Sequence, residues 1–160
     1  MPNLLVVLLL FILGAGDASA WTGKVIGISD GDTVTVLDAD MATVKVRLYG
    51  VDCPESSQPF GTRAKQYTSS VVYGKMVTVE DMDIDRYGRV VGVVETVDGT
   101  SLNRALVING MAWVYDRYCR AVWCAEWKQD EMRAKSARAG LWSEPAPMPP
   151  WEFRRAKRTR

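Results

Sequence analysis

Five short stretches in which valine alternates with polar residues constrain this chain more than any other feature. They are "KVIGIS" (Lys24 to Ser29), "DTVTVLD" (Asp32 to Asp38), "TVKVRLYG" (Thr43 to Gly50), "KMVTVED" (Lys75 to Asp81) and "RVVGVVET" (Arg89 to Thr96). A period of two puts alternate side chains on opposite faces, which is the signature of a strand with one buried face. Val44, Val46 and Leu48 take one face of the third stretch, and Lys45, Arg47 and Tyr49 the other. Asp30-Gly31 is a hairpin signal between the first two stretches, so the first three read as a meander. The valines of "RVVGVVET" are dense enough for both faces to be buried.

Helical spacing appears in three places. Phe60, Ala64, Tyr67 and Val71 follow Pro59. "SLNRALVING" has Ser101 as its N-cap and Gly110 as its stop. A last helix runs from about Trp123 to Ala139, with Glu131 and Lys135 four residues apart and Gly140 beyond it. A helix after the third strand and more after the fifth predict an α+β chain, a five-stranded OB-fold barrel with about three helices. That architecture binds nucleic acids and sugars on its open face. The 160 residues are enough for one domain with its own core.

The two ends differ from the middle. "MPNLLVVLLLFILGAGDASA" has an apolar run of ten residues, Leu4 to Leu13, and then Ala18-Ser19-Ala20, the A-x-A pattern of a cleaved signal peptide. The run is too short to cross a bilayer comfortably. The terminal amine is its only positive charge, and an uncleaved anchor is the other reading. Both send the remainder out of the cytoplasm, to a periplasmic or secreted location. The expected organisation is therefore a signal peptide over 1–20, one domain over 21–142 and a proline-rich, extended, basic tail over 143–160. Loss of 1–20 removes Asp17 and no base, leaving 20 basic and 18 acidic residues. "WEFRRAKRTR" carries five cations against Glu152, and such a tail either holds polyanions by counterion release or is a solvated terminus.

There is no histidine. That removes histidine triads, histidine general bases and His-ligated zinc together. Cys119 and Cys124 are close enough to close a small disulfide loop in an oxidising compartment, leaving Cys53 over. Any hydrolysis must then run on carboxylates, arginines, tyrosines or a hard cation.

Three charged clusters lie at strand ends: "SDGDT", "RLYGVDCPE" and "DRYGR". Each alone reads as a turn or loop. Convergence would place Asp32, Asp52 and Glu55 with Arg47 and Arg89 around one space. Guanidinium groups neutralise the crowded dianion of a phosphodiester transition state. Oxygen ligands favour Ca²⁺ or Mg²⁺, and a spare carboxylate can activate water.

"DGDT", "RLYGVDCPE" and "DRYGR", in this order, resemble the staphylococcal nuclease (thermonuclease) family from about Gly23 to Trp142. The resemblance implies Asp32 and Asp52 as side-chain Ca²⁺ ligands and the carbonyl of Cys53 as a third. It implies Glu55 as general base through water, and Arg47 and Arg89 as the phosphate-binding, transition-state-stabilising arginines. Tyr87 matches a tyrosine that contacts the nucleotide. The implied reaction is cleavage of the 5′ P–O bond of DNA or RNA, leaving 3′-phosphate ends, with no stable protein partner and a monomeric enzyme. The loop "SSQPFG" is shorter than its family counterpart, and the tyrosines after Gly110 are differently spaced. Tyr118 is a candidate base-stacking surface, while Tyr115 and Trp113 are open to a core role. The alternatives are a catalytically silent OB-fold module that binds nucleic acid and an oligosaccharide binder. The presence of all five charged residues favours the enzyme.

Overall fold

The computed structural model describes residues 20–159; the expected signal peptide lies outside the described residues apart from Ala20. The chain runs through β1 (Ala20–Asp30), β2 (Thr33–Leu37), β3 (Thr43–Leu48), the short β4 (Val51–Asp52) and α1 (Gly61–Val72). It continues through β5 (Met76–Ile84), β6 (Val90–Thr96), α2 (Leu102–Ile108), β7 (Trp113–Val114) and α3 (Cys124–Ser136). A 3₁₀ turn (Gly140–Ser143) and α4 (Pro150–Arg158) complete it.

Five strands close into a barrel in the order β1-β2-β3-β6-β5. β1, β2 and β3 are the expected antiparallel meander, and a parallel β3–β6 pair closes the cylinder. The alternation produces this because each strand sends its valines inward: Val25, Val34, Val36, Val46, Val77, Val79 and Val94 are all buried. Burying a side chain of that size contributes about 1.5–3 kcal/mol. In β6 only Gly92, Val94 and Thr96 are buried, so the strand keeps one buried face and its other valines are half-covered. Closure leaves the barrel no free edge.

The helices pack around the barrel. Ser101 caps α2 by accepting the Arg104 N–H, as its sequence predicts. Asn103, fully buried, accepts the Val94 N–H and donates to the carbonyls of Tyr49 and Gly92, tying α2 to the β3–β4 turn. Cys119 and Cys124 are bridged, with their Cα atoms 5.7 Å apart. The bridged loop lies over that turn: the Tyr49 hydroxyl accepts from the N–H groups of Arg120 and Ala121. Gly50, at φ +68°, has no alternative there, since a Cβ would stand 2.6 Å from Cys119 Sγ.

The tail departs from its expected extended form. After Pro149, residues Pro150–Arg158 form α4, with proline at the start where its missing N–H costs nothing. No described helix is long and apolar enough to cross a membrane.

Candidate active site

The β1–β2 turn places Asp32 beside the β3–β4 segment. Asp30 Oδ1 accepts the Asp32 N–H at 3.2 Å, and the Asp32 carbonyl accepts the Leu48 N–H at 2.8 Å. The turn needs glycine at 31 for space: a Cβ would meet Cys53 Cβ at 2.7 Å and Ala64 Cβ at 2.8 Å. Asp32 Oδ2 accepts the Cys53 N–H at 2.6 Å, joining "DGDT" directly to "RLYGVDCPE".

Arg47 projects from β3 between the two acids. Its Nη2 lies 3.1 Å from Asp32 Oδ2 and 2.9 Å from Asp52 Oδ1, while Nη1 donates to the carbonyls of Leu48 at 3.1 Å and Val51 at 3.0 Å. Both Nη groups are thus engaged inside the protein, while among the described residues Nε–H has no hydrogen-bond partner. The side chain therefore holds the β3–β4 turn in place as well as balancing the acids. Burial disfavours its charge, but Asp32 and Asp52 outweigh that and keep it a cation.

Asp32 is buried, and desolvation pushes its pKa up to about 8 despite Arg47. Burial also holds the Cys53 thiol well above its ordinary range. Glu55 lies beyond Pro54 and is partly exposed; its N–H donates to Gln58 Oε1 at 2.8 Å. Among the described residues no three acidic or cysteine side chains form a ready-made metal cage. The available donors are the oxygens of Asp32 and Asp52, which share one guanidinium. A set of buried carboxylate oxygens without histidine or thiolate ligands fits a hard divalent cation.

The third cluster makes no ion pair with these groups among the described residues. Arg89 precedes β6 and pairs with Asp85 of its own turn, Nε to Oδ2 at 2.7 Å. The parallel register sets Val90 beside Val46 and Val91 beside Arg47, so the turn leads into the strand that borders Arg47. Tyr87 at its tip is exposed, with Arg86 and Arg89 near its ring. Tyr118 is exposed and meets Tyr115 edge-on at 4.8 Å.

A model of the family described as "Staphylococcal nuclease homologue" matches residues 45–144. The chain belongs to the staphylococcal nuclease family. This nuclease is 39% identical to "Micrococcal nuclease" of Shigella flexneri over 87% of the chain and 85% of that protein. It is 40% identical to "Protein ParB" of Escherichia coli, over 88% and 85% respectively. It is 36% identical to an "Uncharacterized endonuclease" of Haemophilus influenzae, over 95% and 84%. It is accordingly a thermonuclease-type hydrolase whose substrates are nucleic acids.

One arginine of the nuclease's acid cluster escapes motif reading. Arg154 of α4 reaches Asp52 and Glu55, 102 and 99 residues away in sequence. The signal available was Pro149-Pro150 followed by Trp151 and Arg154, three residues apart on one helical face, and the prolines before them read as a break instead.

Proposed function

We propose that the protein is an exported, divalent-cation-dependent nuclease that hydrolyses DNA and RNA and leaves 3′-phosphate ends. The observation that carries this reading is the single guanidinium of Arg47 shared by Asp32 and Asp52, with Glu55 next in the same segment. Asp32, Asp52 and the Cys53 carbonyl would hold Ca²⁺, or Mg²⁺, and the cation would supply positive charge against the phosphate oxygens. Glu55, partly exposed, would orient and deprotonate a water once its oxygen is released from Arg154. Arg47 turns its remaining donor capacity to the scissile phosphate. Arg89, ion-paired with Asp85 in a partly exposed turn, supplies the second guanidinium, and bidentate contact to phosphate is the geometry such a group favours. Tyr87 and Tyr118 offer exposed rings for bases. Export rests on the sequence of residues 1–20, with cleavage after Ala20, and the enzyme acts as a monomer.

Purified mature protein should cut closed circular DNA and single-stranded RNA with Ca²⁺ and stop on chelation. Its product ends should require phosphatase before a polymerase extends them. Cutting that survives chelation would reject the cation. Nucleic-acid binding without cutting under any divalent ion would select the silent binding module.

A further inference from the structure

The acid cluster holds a second guanidinium that comes from outside the barrel. Arg154 Nη2 donates to Asp52 Oδ2 at 2.7 Å, and Nη1 donates to Glu55 Oε1 at 2.7 Å and Asp52 Oδ1 at 3.2 Å. With Arg47 Nη2 on Asp52 Oδ1, both oxygens of this buried carboxylate face arginine. A cation ligated by Asp52 would need those same oxygens. Oδ1 already takes a donor from each arginine, and a divalent cation on these oxygens would stand within a few ångströms of Arg154 and repel it.

The helix that brings Arg154 has few other ties. Trp151, one turn earlier, stacks on Tyr115 with ring centres 4.7 Å apart and planes 8° apart. Gln58 Nε2 donates to the Met148 carbonyl at 3.2 Å, and Lys157 Nζ donates to Ser57 Oγ at 3.2 Å. All three hold α4 against the short segment that carries Glu55 or against the tyrosine beside it. Within α4 only Pro150 is buried. This helix is therefore anchored by the charge it delivers and by the Trp151 ring against Tyr115 and Trp113.

We propose that Arg154 is a resident counter-ion of the nuclease's acid cluster, which a divalent cation must displace from Asp52, so that α4 sets the cation affinity of the site. The proposal rests on the cation reading of Asp32 and Asp52 given above. Asp52 is almost wholly buried and needs a positive partner in either state. With Arg154 seated, that partner is the guanidinium, and one oxygen of Glu55 is occupied by the same side chain. With the cation seated, Arg154 leaves and Glu55 is freed. Linkage requires symmetry: the factor by which α4 weakens the cation is the factor by which the cation loosens α4. Once free, Arg154 joins Arg155, Lys157 and Arg158 in a basic strip beside the site, where the phosphates of a nucleic acid would keep it from returning.

Calorimetric titration of the substrate-free mature protein with Ca²⁺ tests this without any activity readout. Arg154→Gln should bind Ca²⁺ about tenfold more tightly than the wild type, within the usual range of such couplings. Trp151→Ala, which weakens the seating of α4 but changes no acid and no arginine, should shift the affinity in the same direction by less. A purely structural Arg154 would leave the affinity unchanged or weaken it, and either result in the Arg154 variant overturns the competition. Binding by the wild type with no gain in the variants removes the counter-ion role and keeps the cation site. Absence of binding in wild type and variants alike removes the cation site itself and the competition with it.

Discussion

Asp52 is gripped from two sides, by a barrel residue and by a tail residue, and the two grips differ in what else they hold. Arg47 comes from β3, its side chain only 17% exposed, and besides the acids it satisfies the carbonyls of Leu48 and Val51. Arg154 comes from α4, its side chain 34% exposed, and it holds nothing but carboxylates. Removing the first leaves main-chain carbonyls and buried charge without partners. Removing the second leaves a carboxylate that another cation can serve. The same pairing of ions is thus part of the fold in one case and a displaceable contact in the other. An arginine's place in the fold follows from the neutral acceptors it satisfies, more than from the acids it touches.

The largest expected effect is on the barrel side. Arg47→Ala should lower unfolding stability by about 3–5 kcal/mol, the range for stripping one partner from a buried ion pair, alongside loss of cleavage. Urea denaturation checks this, and an unchanged midpoint would erase the contrast between the two arginines. Next comes Arg89, whose pair with Asp85 is local and partly exposed. Arg89→Ala should reduce kcat by about 10²–10³-fold, as for loss of one transition-state donor. Its stability cost should be no more than about 1 kcal/mol, so that activity and stability separate where for Arg47 they fall together. The smallest effect belongs to the tail: Trp151→Ala should cost about 0.5–1.5 kcal/mol through the lost ring pair with Tyr115. Thermal unfolding read by circular dichroism would show it. A loss as large as that for Arg47 would make α4 part of the core and end its description as a loosely held element.

Much of the barrel is legible in the chain because alternation is a local property. Val34 and Val36, or Val44, Val46 and Leu48, announce which face is buried whatever the rest of the chain does. "DGDT" and "RLYGVDCPE" were legible as partners because strand ends bring them together, and the Cys53 N–H to Asp32 bond is the result. The third cluster was only half legible. Its sequence joins Arg89 to the acids, whereas Asp85 in the same turn accepts its Nε and both nearby main-chain N–H groups, at Tyr87 and Arg89.

The final segment shows the opposite case. Its prolines predict an extended finish, and its charge leaves a solvated end and a polyanion binder equally open. Composition cannot see that Pro150 begins a helix whose first turn stacks Trp151 on Tyr115. The sequence alone therefore determined the strand pattern, the absence of histidine chemistry and the identity of the acids and arginines available. Tertiary structure alone decided which cation each acid meets, because electrostatic pairing acts over a few ångströms of space and is indifferent to the hundred residues that separate Asp52 from Arg154 along the chain.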